Sequence, residues 1–90
     1  LKEIHLPDSI ISIGDSAFEE CSDLEKVNIP DNVTSIGNCA FSGCSNLTKI
    51  QIPDSVISIG RETFKWCKRL EQINIPDSVT SIGDNVFKRV

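Results

Sequence analysis

Methionine is absent from these 90 residues, tryptophan and histidine occur once each, and aromatic residues make up only 6%. A chain without methionine that opens Leu1-Lys2-Glu3-Ile4, neither a signal peptide nor a translation start, reads as an excerpt of a longer protein. Apolar residues never run for more than a few positions, which excludes a membrane-spanning helix. Basic residues are also scarce. Nine Lys and Arg against thirteen Asp and Glu leave a net charge of -4, the wrong sign for a general nucleic-acid binder, whose affinity rests on neutralising phosphates. One histidine, His5, and no C-x-x-C spacing leave neither a zinc-ligand pattern nor a Cys-His or Ser-His-Asp set, so no metal, cofactor or enzyme activity is expected. What is present, 39% hydrophobic residues, is ordinary for one globular domain and excludes disorder or a collagen-like chain.

The organisation is set by an internal repeat. The four prolines fall at positions 7, 30, 53 and 76, a constant spacing of 23. At that period Leu1, Leu24, Leu47 and Leu70 align, as do Ile4, Val27, Ile50 and Ile73, and Asp8, Asp31, Asp54 and Asp77. Gly14, Gly37, Gly60 and Gly83 form another column, followed by Phe18, Phe41, Phe64 and Phe87, and then by Cys21, Cys44 and Cys67 with Val90 in the last place. The whole chain, residues 1–90, is therefore one segment of four repeats, 1–23, 24–46, 47–69 and 70–90.

Within a repeat, Leu1, Ile4 and Leu6 alternate as in a short strand, with Glu3 and His5 facing outward. Pro7 ends it, because proline gives no N–H to a ladder, and Pro7-Asp8-Ser9 reads as a turn. A second extended piece occupies residues 10–13. Gly14 is expected to break that piece with a positive φ, and Asp15 or Ser16 to cap a single helical turn carrying Ala17, Phe18 and Cys21 inward. One narrow apolar edge cannot bury itself, so successive repeats must stack, with parallel strands about 4.8 Å apart.

The pattern L-x-x-I-x-L-P followed by I-G-x-x-A-F-x-x-C resembles the 23-residue leucine-rich repeat of the BspA-like class over the entire chain. The resemblance implies an α/β solenoid: a right-handed stack with a parallel sheet on its concave face and short strands and helical turns on its convex side. It also implies a non-catalytic role in protein binding or adhesion, host or matrix proteins as partners, and a place at the cell surface or outside the cell. Thr63 and Val86 depart from the alanine of the motif, and no capping sequence is seen at either end. The alternative function is that of structural spacer repeats presenting another domain.

The polar columns are read as structural. Cys21, Cys44 and Cys67 form an odd ladder beside the Phe column that cannot pair completely, and are expected to be buried free thiols. Cys39 shares its column with Ser16, Glu62 and Asn85, should lie near the surface, and would pair with Cys21 or Cys44 only at a Cα separation under about 7 Å. The aspartate column could bind calcium in a parallel solenoid, but Pro before and Ser or Asn after it is the chemistry of a simple turn. The hydroxyls of Ser12, Ser35, Ser58 and Ser81 are expected to satisfy backbone groups at the bend. Asn32-Val33-Thr34 and Asn46-Leu47-Thr48 match the N-glycosylation pattern.

Two surfaces are candidates for binding. On the expected concave face, the outward columns are Glu3, Lys26, Lys49, Gln72 and His5, Asn28, Gln51, Asn74, an amide-rich surface without aromatic anchors. On the expected convex side, the net charge by repeat runs -5, -1, +3 and -1, and the positive value comes from Arg61, Lys65, Lys68 and Arg69 around Trp66. Trp66 shares its column with Glu20, Gly43 and Arg89 and is expected to be exposed, ringed by cations. Uncovered apolar ends, Leu1, Ile4 and Leu6 at one and Val79, Ile82 and Phe87 at the other, would allow end-to-end self-association.

Overall fold

The computed structural model describes residues 3–71 and 73–87, and among them the chain forms a parallel β-solenoid. Seven short strands appear: β1 (Glu3–His5), β2 (Ser12–Ile13), β3 (Lys26–Asn28), β4 (Ser35–Ile36), β5 (Lys49–Gln51), β6 (Ser58–Ile59) and β7 (Ser81–Ile82). They make two parallel sheets, β1-β3-β5 and β2-β4-β6-β7, and every pairing is in register by one repeat, as in Ile4 with Val27 with Ile50. The strand of the fourth repeat does not join the first sheet among the described residues. Each proline turn closes as its sequence suggests, with the Val33 N–H donating to Pro30 O at 3.2 Å and Val56 N–H to Pro53 O at 3.1 Å.

No helix occurs among the described residues, so the α part of the expected α/β class is corrected. The expected helical turn is instead a ribbon of turns at one corner of each repeat. Its amides alternate in destination. Those of Ala17, Glu19 and Cys21 donate three residues back to Gly14, Ser16 and Phe18, whereas those of Ser16, Phe18 and Glu20 donate across to Asn38, Ala40 and Ser42 of the next repeat at 2.8, 2.8 and 2.7 Å. In an α-helix successive amides all point along the axis towards carbonyls of the same segment and do not alternate in this way. Positive φ at Ser16 (57°) and Glu20 (63°) turns them outward, and the same conformation recurs at Cys39, Gly43, Glu62, Trp66 and Asn85.

The glycine column is corrected as well. Gly14, Gly37, Gly60 and Gly83 are not among the residues of positive φ. The later three are needed for close approach. A Cβ on Gly37 would lie 2.5 Å from Asp15 Oδ1 and 2.6 Å from Asp15 N, one on Gly60 2.5 Å from Asn38 N, and one on Gly83 against Arg61 N. Around Gly14 nothing lies within 4 Å.

The core is a stack of layers of near-repeating composition, with Val27 above Ile50 and Ala40 above Thr63. Leu24, Val33, Phe41, Leu47, Val56 and Phe64 are each at most 1% exposed. The phenylalanines run as a continuous pile, with Phe18 to Phe41 at 5.4 Å, Phe41 to Phe64 at 5.8 Å and Phe64 to Phe87 at 5.8 Å, all near parallel. Burial fades towards both ends: Ile4, Leu6 and Phe18 are half-buried, and Ile82 and Phe87 are exposed. Leu1 and Val90 lie outside the described residues.

Two substitutions test this packing. Phe41→Ala removes a side chain buried on both sides and should destabilise by about 3–5 kcal/mol in a reversible urea melt; a loss under about 1 kcal/mol would show that the pile is not the core. Gly60→Ala should cost about 1–3 kcal/mol through its clash with the Asn38 backbone, while Gly14→Ala should cost nothing measurable. Equal effects at the two positions would show that close approach between repeats is not what keeps glycine there.

Candidate functional site

The register of β1, β3 and β5 sends Ile4, Val27 and Ile50 inward and lays out two exposed rows, Glu3, Lys26, Lys49 and His5, Asn28, Gln51. Neighbours in a row are about 4.8 Å apart by strand spacing. Asn74 is exposed but lies outside the paired strands, and Gln72 lies outside the described residues. His5 Nε2 stands 3.8 Å from Glu3 Oε2, an exposed pair that solvent screens. Lys26 and Lys49 are direct neighbours, and like charges side by side in a sheet are unfavourable. Beyond β5, where the first sheet stops, an open groove of about 1300 Å³ runs between Lys49, Gln51 and Asp54 on one side and Asn74, Asp77 and Ser78 on the other.

Arg61, Lys65, Trp66, Lys68 and Arg69 all belong to the third repeat, and Arg61, Lys68 and Arg69 are exposed. Trp66 is half-buried rather than exposed, which corrects the expectation. Its backbone has φ of 66°, and its column neighbour Gly43 has no side chain to prop the indole away from the stack. Lys65 Nζ lies 5.9 Å from the indole centroid and 3.7 Å from Glu62 Oε2.

All four cysteines are free thiols. Cys44 and Cys67 are buried, and their Sγ atoms donate to Phe18 O at 3.2 Å and Phe41 O at 3.1 Å, so the column ties each repeat to the preceding one. Burial, followed by the neighbouring Cys67, pushes the Cys44 thiol from 9.0 up to about 12. Cys39 is half-buried, with Sγ 3.7 Å from Glu62 Oε1; burial first and then the Glu62 charge raise its pKa. Thiols held protonated in this way are poor nucleophiles.

The aspartates 8, 31, 54 and 77 are exposed in their turns, and among the described residues no cluster of His, Cys, Asp or Glu is arranged to hold a metal ion. The serine column is corrected: among the described residues, hydroxyls bonding the backbone include Ser55 to Val33 O at 2.7 Å, Ser78 to Val56 O at 2.8 Å and Thr34 to Ile11 O at 3.2 Å, and not those of Ser12 and its equivalents. One device escaped the sequence reading. Asp15 Oδ1 accepts the N–H of Asn38 at 2.8 Å, and Asn38 Oδ1 accepts that of Arg61 at 2.7 Å, so these side chains cap the following repeat and not a helical turn of their own. The recurrence of an acceptor at Asp15, Asn38 and Asp84, interrupted by Arg61, was its visible trace.

The family described as "BspA type Leucine rich repeat region (6 copies)" matches residues 1–90. The chain belongs to the BspA-type leucine-rich repeat family. Two solved structures resemble this leucine-rich repeat segment. A leucine-rich repeat protein from Bacteroides ovatus is 44% identical with a TM-score of 0.84, over 97% of this chain and 22% of its own. The T. pallidum leucine-rich repeat protein is 33% identical with a TM-score of 0.90, over 94% of this chain and 42% of its own. The segment thus spans less than half of either protein. No curated protein matches it.

The Cys44 thiol couples stability to pH. Its pKa is raised on folding, so the stabilisation it brings is complete below pH 9.0 and is lost as pH climbs from there towards about 12. Urea midpoints taken from pH 8 to 11 should fall for the parent chain and fall less steeply for Cys44→Ala. Identical slopes would show that this thiol is not the group responsible.

Proposed function

We propose that this leucine-rich repeat segment is a non-catalytic protein-binding and adhesion module, and that the exposed face of β1, β3 and β5 makes the contact. Membership of a family of protein-interaction repeats supports the class of function. The observation that carries the surface is the pair of rows Glu3, Lys26, Lys49 and His5, Asn28, Gln51, held in register on paired backbone with their polar groups turned to solvent. A rigid row of side chains loses little freedom on binding, so more of each contact is kept as affinity. The adjacent ammonium groups of Lys26 and Lys49 suit a partner that presents carboxylates or carbonyls, Asn74 lines the neighbouring groove, and Gln72 belongs to the lysine column by sequence. The Arg61, Lys65, Trp66, Lys68 and Arg69 corner is the second surface.

Membership of the family supports a surface or secreted location. No helix among the described residues is long and apolar enough to cross a membrane. Exposed Ile82 and Phe87 at one end of the stack also support end-to-end covering, by further repeats or by other copies.

Binding to a panel of immobilised extracellular matrix and host surface proteins tests the reading. The double variant Lys26→Glu/Lys49→Glu should weaken the interaction at least tenfold, while Lys68→Glu on the corner leaves it unchanged. The reverse pattern would move the contact to the corner, and a parent chain retained by none of the panel would favour the spacer role.

A further inference from the structure

The turn corner carries a charge inversion that stacking does not require. The cross-repeat hydrogen bonds align Asp15 and Glu19 with Arg61 and Lys65 two repeats later, and the 23-residue period continues the series from Asp23 to Arg69. The repeat between them has Asn38, Ser42 and Asn46 in the same places, uncharged and buried or half-buried. An exposed acidic end and a basic end, exposed at Arg61 and Arg69 and half-buried at Lys65, therefore flank a recessed neutral strip. By repeat spacing the ends are about 10 Å apart, close to the screening length of about 10 Å at 0.1 M salt, so each presents its own sign to an approaching surface. Arg61 and Arg69 make no ion pair with another described residue, and neither do the three acids. Within the basic end the one acid, Glu62, is occupied by Lys65. Asp84 lies one repeat further on and outside this pattern.

Independently of the sheet-face reading, we propose that this corner is a self-complementary interface through which two copies of the chain pair side by side and antiparallel. A two-fold axis through the second repeat would set the acidic end of each copy on the basic end of the other. An unrelated acidic partner would be drawn to Arg61 and Arg69 but repelled by the carboxylates 10 Å away by the same spacing, whereas a second copy satisfies both ends at once. Such a contact uses the same patch on both sides and closes at two copies.

Trp66 adds an aromatic group to the patch. Its φ of 66° is the one the corner imposes on this column, as at Glu20 and Gly43, and the equivalent position one repeat earlier is a glycine. The Glu20 carboxylate already leans over that glycine, with Oε2 2.7 Å from where a Cβ on Gly43 would stand. In the antiparallel pair the indole N–H of one copy comes opposite the Glu20 carboxylate of the other, which places an aromatic anchor beside the axis.

Sedimentation velocity on the 90-residue chain tests the proposal. In 20 mM NaCl the mass should be twice 9.9 kDa, and in 500 mM NaCl it should return to 9.9 kDa, with a change in Trp66 emission across the transition. Two charge-swapped variants, Lys65→Glu/Arg69→Asp and Glu19→Lys/Asp23→Arg, leave the Asp15 bond to the backbone intact. Each alone should self-associate at least tenfold more weakly, with circular dichroism and urea midpoints close to the parent. An equimolar mixture of the two should regain a one-to-one dimer. A monomer at low salt, swapped variants that still self-associate, or a mixture that stays monomeric would overturn the proposal. So would a mass that grows past two copies or is insensitive to salt, the signature of apolar end-to-end stacking.

Discussion

Backbone amides that leave their own repeat hold this solenoid together. At the corner every second N–H, those of Ser16, Phe18 and Glu20 and their equivalents, is donated to the next repeat, while Thr34, Gly37, Ile57 and Gly60 donate to the preceding one. The core follows from this constraint. With each layer locked to its neighbours, Phe41 can only meet Phe18 and Phe64, and Cys44 can only reach the carbonyl of Phe18. The left-handed residues are the cost of the arrangement, about 1–2 kcal/mol each for a non-glycine residue. Hydrogen bonds that would otherwise be missing from a buried backbone offset it.

Much of this architecture was legible in the sequence. The 23-residue period fixed the repeats, the parallel register and the inward columns, because stacked layers need like residues above one another. The proline turns were legible from Pro-Asp-Ser chemistry. The corner was not. Ala17, Phe18 and Cys21 have the spacing of one helical turn, and a single turn of helix and a ribbon of β-turns carry the same side chains inward. What separates them is the destination of six amides, which depends on the neighbouring repeat and not on the local residues. The same gap explains the glycine column: Gly37 and Gly60 are set by what stands beneath them, a contact that local propensity cannot report.

The candidate surfaces were legible to different degrees. Strand alternation placed Glu3, His5, Lys26, Asn28, Lys49 and Gln51 outward, as the paired strands have them. Trp66 was misjudged because its column pairs it with Glu20 and Arg89, which suggest solvent, while the neighbouring Gly43 leaves it room to settle against the stack. Binding surfaces of such a solenoid lie on side chains that no layer needs, and for that reason a fold this regular leaves its partners to be decided by so few residues.

The ladder also governs how such a chain can change its length. Inserting or deleting one residue within a repeat would shift every later column against the earlier ones, setting polar residues against phenylalanine and side chains where Gly60 has room for none. Adding or removing a whole 23-residue block disturbs only the two layers at the junction, whose contacts are remade in kind. Evolution by duplication of entire units is thus the mechanically permitted route, and slippage within a unit is not.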